Sequence, residues 1–296
     1  MDPTELEIVM PPVALRPFVR RYLYAARAAN GPVVMRPKPT GYMYFSNFLQ
    51  TAQGDYFSIN GRKNDPAGRW YLPGQIVDHE IEVRIERSDL VIFCEFAATG
   101  RYRLLGLPGD AYIGQAPTLA SACPEYEPIA RACFVAGPDA PRSAHLAEVN
   151  DFFSRLAERA FPGDPEIERA VAMFEAANGA ARVAAVCAEV GLSPRQMNRR
   201  FTHMVGVGPK FFGQILQINW VVSLLYAGDT ATLTEIAHEA GFYDQAHFNH
   251  AMRQFFSEGP REFLQSDHVF FKAFLGESRR FGPSAARPDD PPAADR

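Results

Sequence analysis

Apolar positions change their period twice along the 296-residue chain, and each change predicts a change of element. Over residues 12–24, Leu15, Phe18, Val19 and Tyr22 recur at helical spacing and predict a helix. Between residues 33 and 96 the period falls to two. Residues 80–87 alternate polar and apolar as a half-exposed strand does, residues 90–93 read as a buried strand, and Ser88-Asp89 reads as the turn between them. Residues 42–45 and 56–59 are further strands, and Pro37, Pro39, Gly54, Gly61, Pro66, Gly68, Pro73 and Gly74 punctuate them. Many short strands with glycine and proline turns predict a small barrel or sandwich. The helical period then returns. Leu146, Val149, Phe153, Leu156 and Ala160 share one face of a helix over 144–160, which Phe161-Pro162-Gly163 breaks. Asp164-Pro165 opens another, with Ile167, Ala170, Val171 and Phe174 inward and Asn178-Gly179 at its end.

The stretch that follows says one thing twice. VAAVCAEVGLSPRQMNRRFTHMVGVGPKFF from Val183 aligns with LTEIAHEAGFYDQAHFNHAMRQFFSEGPREF from Leu233 on Gly191 and Gly241, with one extra residue after the second glycine. Met197 then falls on Phe248, Phe201 on Met252, Val205 on Phe256 and Pro209 on Pro260, so one supersecondary unit is used twice. Each copy reads as a short helix, a glycine turn and a second helix. Ser193, Pro194 and Gln196 make a capping box with proline at the first helical position; Asp244 caps the second copy. With Met197, Phe201, Met204 and Val205 on the apolar face, Arg195, Gln196, Asn198, Arg199 and Thr202 lie opposite. In the second copy Phe248, Met252, Phe255 and Phe256 are inward, and Gln245, His247, Asn249, His250 and Arg253 face out.

Arg, Asn and Gln make paired hydrogen bonds to base edges in the major groove, and a helix-turn-helix reads them with the N-terminal part of its second helix. A polar face opposite an apolar stripe is also what any solvated helix shows, but two capped units with matching cores and matching exposed sets favour the first reading. A helix from Pro209 to Leu225, with Ile215, Ile218, Val222 and Leu225 at helical spacing, joins the units. It would be a rod of about 25 Å, against roughly 34 Å between successive major grooves on one face of B-DNA.

Residues 181–266 resemble the DNA-binding region of AraC/XylS-type bacterial transcription regulators. The resemblance rests on GLSPRQMNRRF, on the proline-started connecting helix ending in Leu224-Leu225, and above all on EIAHEAGFYDQAHFNHAMRQFF followed by Pro260 and Phe263. It implies an all-α domain of two helix-turn-helix units that binds an operator in double-stranded DNA, with RNA polymerase as a further partner if the protein is an activator. The sequence departs from the family's pattern at Gln217 and His250, where arginine is usual, at Val221, where alanine is, and at Ser257, where glycine is. The strand-rich segment with FAATGRYRLLGLPGDAY after it is loosely similar to the cupin-like effector domains of some members.

Composition and charge temper this picture. A hydrophobic content of 47% with 22% charged residues is that of a globular chain long enough for about two domains. The net charge of −4 is not the footprint of a generic nucleic-acid binder, and residues 181–264 carry seven cations against seven anions. Affinity therefore depends on where the arginines point, and nonspecific binding should be weak. Residues 1–10 do not read as a signal peptide and no apolar run reaches a membrane span. Four scattered cysteines without a CxxC pair fit a reduced cytoplasmic protein; Cys123 and Cys133 are either a redox pair or two small buried side chains. Through residue 144 the only histidine is His79, and GxSxG, P-loop, GxGxxG and HExxH motifs are missing, so no catalytic residue, metal site or cofactor is expected.

The expected organisation is a β-rich sensor or dimerisation domain over 1–143, a helical linker over 144–163, the double helix-turn-helix domain over 164–275 with a last helix near 269–275, and a disordered tail over 276–296. Arg195, Gln196, Asn198 and Arg199 should read one major groove, and Gln245, His247, Asn249, His250 and Arg253 the next. Tyr44, Trp70, Arg101 and Tyr102 are candidates for holding a small effector, and the 144–160 helix either joins two copies into a homodimer or packs within its own chain. The alternative is a ligand-binding protein or enzyme whose helical half mediates assembly; it requires the outer faces of the second helices to be buried against the first domain.

Overall fold

The computed structural model describes residues 4–27, 33–49, 51, 53–66, 68–77, 80–86, 91–137, 139–226, 235, 237–238, 240–265 and 275. His79, the turn at Ser88-Asp89, Leu90, the start of the second repeat at Leu233, the segment 269–274 and the tail from 276 lie outside them.

The first half is built on two antiparallel four-stranded sheets. In one, β1 (Thr4–Val9), β2 (Val19–Arg27), β8 (Val91–Phe96) and β4 (Tyr44–Phe48) lie in the order β1-β2-β8-β4; in the other, β3 (Val33–Met35), β7 (Ile81–Ile85), β5 (Tyr56–Ile59) and β6 (Arg62–Asn64) lie in the order β3-β7-β5-β6. Met35, Phe57, Ile59, Val83 and Ile85 of the second sheet close on Phe48 and Val91 of the first. Against the other face of the first sheet, through Phe45, Ile92, Cys94 and Phe96, pack α1 (Gly100–Leu105), α2 (Leu119–Ala122), α3 (Glu127–Cys133) and α4 (Arg142–Ala157).

The helix expected over 12–24 is not there. A 3-10 turn at Val13–Leu15 leads directly into β2. β2 is a central strand paired on both sides, and its two faces are both covered: Tyr22 and Tyr24 join the core under α4 while Leu23 packs toward the C-terminal helices. A strand buried on both faces loses the polar alternation that marks a half-exposed one, and the leftover apolar spacing imitates a helix.

α4 is the helix expected over 144–160, though it begins at Arg142 and ends at Ala157, before Ala160, and its Val149, Phe152, Phe153 and Leu156 sit in the core of the first half. This face of α4 packs within its own chain.

The second half is helical: α5 (Pro165–Ala176), α6 (Val183–Val190), α7 (Pro194–Val205), α8 (Pro209–Tyr226), α9 (Gln245–Phe256) and α10 (Pro260–Gln265). The expected caps are present. Asp164 accepts from Ile167 N at 3.1 Å and Asp244 from His247 N at 2.7 Å, while Ser193 and Gln196 form the reciprocal capping box. α8 feeds both units, with Phe212 in the core around Val186, Met197 and Phe201, and Ile218 and Val222 in that around Phe248, Met252 and Phe256. Gly213 is a poor residue for a helix interior, but a methyl group there would come to 3.1 Å from the Gly179 carbonyl oxygen and 3.4 Å from the Phe174 ring, so the chain just after α5 lies directly on α8.

Candidate nucleic-acid interface

α7 and α9 are each 12 residues long, and each buries the four apolar positions that the repeat aligns. Their opposite faces are open. Arg195, Gln196, Asn198, Arg199, His247, His250 and Arg253 are exposed, and Gln245 and Asn249 are half-buried. Two of these side chains are less free than the sequence implies. The Gln196 Oε1 accepts from Ser193 N at 3.0 Å and lies 2.9 Å from Ser193 Oγ, so its cap role leaves mainly the amide donors for other work. The Asn249 Oδ1 is buried without a hydrogen-bond partner.

Charge is distributed unevenly between the two helices. Arg200 does not face outward with Arg199; it donates to Asp164 Oδ2 at 2.7 Å and Glu166 Oε2 at 2.9 Å, tying α7 to the start of α5. Although burial opposes it, Arg200 and the Ile167 N–H hold the Asp164 carboxyl below its ordinary range. This leaves α7 with two outward arginines, Arg195 and Arg199, and α9 with Arg253 and two imidazoles.

Gln217 replaces the family's arginine and is buried. Its Nε2 donates to the Ala240 carbonyl at 2.6 Å and so braces the turn of the second unit at Gly241.

Tyr243 was not singled out by the sequence pattern. It is 89% exposed immediately before the Asp244 cap, while its neighbour Phe242 is buried against Phe248 with ring centroids 5.2 Å apart. The signal was the Phe-Tyr pair itself: a tight turn can bury only one of two successive aromatic rings.

The four effector candidates do not come together. Tyr44 lines a cavity of about 120 Å³ between the two sheets, whose apolar wall includes Met35, Phe48, Phe57, Val83 and Phe93. Trp70 lies on the other side of β4, stacked at 4.3 Å on Phe45 and tilted at 4.4 Å against Phe134, where it borders a more polar cavity of about 630 Å³. Arg101 lines neither. It is fully buried, and its Nη2 donates to the carbonyls of Pro108, Gly109 and Ala111 at 2.9, 2.8 and 3.2 Å. Burial pushes its pKa down to about 10, which leaves it cationic at neutral pH. Tyr102 faces Phe161 and His203, 6.2 and 5.1 Å away between ring centroids.

All four cysteines are free and buried, and burial pushes the Cys123 thiol up to about 12 and the Cys133 thiol up to about 11. Among the described residues no group of three or more His, Cys, Asp or Glu side chains is placed to hold a metal, and no helix is long and apolar enough to cross a membrane.

α6 and α7 form a helix-turn-helix on the connecting helix α8, and α9 is the capped second helix of the repeat's second copy, an arrangement that defines the class as a helix-turn-helix DNA-binding domain. Residues 186–266 match a family of helix-turn-helix domains and are a domain of the AraC type. Against curated protein sequences the chain has no match. Among solved structures it is similar to ToxT from Vibrio cholerae. One such structure, at 14% identity and a TM-score of 0.40, covers 81% of this chain and 97% of ToxT. Another, of ToxT bound to (E)-4-(8-methylnaphthalen-1-yl)but-3-enoic acid, is 13% identical with a TM-score of 0.41 and covers 82% of this chain and 100% of ToxT. A third, of ToxT bound to an unsaturated fatty acid, is 16% identical with a TM-score of 0.37 and covers 80% and 96%.

Proposed function

We propose that the protein regulates transcription by laying α7 and α9 in two neighbouring major grooves of an operator. Arg195, Gln196, Asn198 and Arg199 read one groove; Gln245, His247, Asn249, His250 and Arg253 read the other. One observation carries this reading: the outer faces of both second helices are open, while their inner faces are packed on α8 and its neighbours. The alternative, in which the helical half only mediates assembly, needs those faces covered by the first domain.

Residues 164–265 are the reader on this view, and the β sandwich with α4 is the sensor. The 120 Å³ cavity is the best-supported effector site, because it is lined almost wholly by apolar side chains and is small enough for one compact apolar group.

The test is fluorescence anisotropy of the full chain on DNA from upstream of its own and neighbouring genes, against random duplex, at two salt concentrations. A strong preference for one fragment supports the reading; equal, weak binding to every fragment overturns it. Arg199→Ala is then expected to cost about 1–3 kcal/mol on the preferred fragment and much less on random DNA.

A further inference from the structure

The last turn of a helix leaves carbonyls without intrahelical partners, and in both α7 and α9 the sensor supplies partners for them. At α7, Gly109 N donates to His203 O at 2.6 Å, and Gln75 Nε2 donates to Val205 O at 3.0 Å and to the sensor's own Gly41 O at 2.9 Å. At α9, Lys38 Nζ donates to Phe256 O at 2.9 Å and lies 3.1 Å from Glu258 Oε1. Between these two grips the segment 39–42 lies along the helices that hold the units together. Asn219 of α8 donates to Pro39 O and Thr40 O at 3.3 and 3.4 Å, and the Tyr42 hydroxyl donates to Glu175 of α5 at 2.7 Å.

The grip on α7 is built to be rigid. The buried Arg101 pins the 108–111 loop by three carbonyls. A methyl group on Gly109 would overlap the backbone of Gly206, so loop and helix end meet main chain to main chain. Gln75 is 2% exposed and bonded on both sides of the boundary.

We infer that Lys38, Gln75 and Gly109 determine which half-site spacing the protein accepts, the sensor acting as a caliper that fixes the offset between the two reading helices. The inference rests on the proposed two-groove reading. On this inference α8, which packs into both cores, sets the offset only together with the sensor's contacts. Holding both helices at their far ends fixes it and leaves their N-terminal, base-reading ends open. Moving one half-site by a single base pair displaces it by about 3.4 Å and rotates it by about 34°, a mismatch a pivoting unit can follow and a clamped one cannot.

The test is selection of bound sequences from a random duplex library by the wild-type chain, by Lys38→Met with Gln75→Leu, and by Gly109→Ala, which attacks the α7 grip from the loop. Wild type is expected to enrich paired half-sites at one spacing, with roughly tenfold weaker binding one base pair away. Both sets of variants should enrich the same half-sites with the spacing penalty reduced to about twofold.

Nitroxide labels at the exposed positions of Ala188→Cys and Gln254→Cys, the native cysteines all being buried, give a readout without DNA. Their distance distribution should be narrow in wild type and broad in the variants. An unchanged spacing preference with an unchanged distribution in both sets of variants overturns the caliper and leaves the DNA-binding reading standing. Failure of the wild type to enrich any sequence overturns both.

Discussion

Single residues carry much of what distinguishes this chain from its pattern. Ser257 stands where glycine is usual, and the backbone there has φ 62°, in the left-handed region that costs a side-chain-bearing residue about 1 kcal/mol or more. The residue ends α9 as Gly206, at φ 96°, ends α7. Ser257→Gly is therefore expected to raise stability by about 1 kcal/mol in urea unfolding, with no change in DNA preference. Tyr243 makes the opposite case. Its ring touches little of its own chain, so Tyr243→Ala should leave stability within about 0.5 kcal/mol. If the ring lies on the phosphate backbone beside α9, the same change weakens binding to operator and random DNA by similar factors, which anisotropy on both duplexes would show. These roles were not legible beforehand, because exposure and backbone handedness at a turn depend on which neighbour the core takes. The burial of Arg101 was hidden for the same reason: as sequence it is one of two arginines beside a tyrosine, and only the folded 108–111 loop turns three carbonyls toward it.

At the scale of elements, the helices of the second half were written plainly and one strand of the first half was not. α5, α7 and α9 start at the residues whose side chains cap them, since a cap is a local contest between a side chain and its own backbone. Ser193→Ala should lower stability by about 1 kcal/mol. It should leave the Gln196 Oε1 on the backbone N–H of residue 193, which alanine retains, so the base preferences opposite Gln196 and Arg199 should both be unchanged in a binding-site selection. β2 shows the converse. Its partners are β1 and β8, the latter some 70 positions away in register pairs such as Tyr22 with Cys94, and nothing within residues 12–24 announces that pairing. The expected helix there followed local spacing in a segment whose conformation is set by non-local bonds.

For the molecule as a whole, the notable feature is a charged cluster where the first sheet meets the helical half. Glu95 is fully buried; Arg20 Nη1 donates to its Oε1 at 2.6 Å, Arg21 donates from Nε at 3.2 Å and from Nη2 at 3.1 Å, and the Tyr44 hydroxyl donates at 2.8 Å. Burial by itself would raise the carboxyl pKa, but the two guanidinium groups and the hydrogen bonds to it outweigh burial and hold it below its ordinary value. A depressed folded-state pKa stabilises the fold above the unfolded value of about 4.3, and that contribution is lost as pH falls through the folded value. Wild-type stability in urea should therefore drop on acidification below about pH 4.3 more steeply than that of Glu95→Gln. At neutral pH the variant should be about 3 kcal/mol less stable, since it leaves the buried Arg21 and the half-buried Arg20 without their counter-charge.

By itself the sequence determined the helical half: two copies of one unit, their caps, their inward faces and the residues they turn outward. All of these follow from spacings of a few residues along a helix, where side chain and backbone interact locally. The tertiary structure decided the rest. It made β2 a strand, drew α4 into the core of the first half, parted Tyr44 from Trp70 on opposite sides of β4, and brought Lys38, Gln75 and Gly109 to the C-terminal ends of α7 and α9. Those contacts join residues 94 to 218 positions apart in the chain, and no local pattern encodes them because the free energy that selects them exists only once both halves are folded against each other.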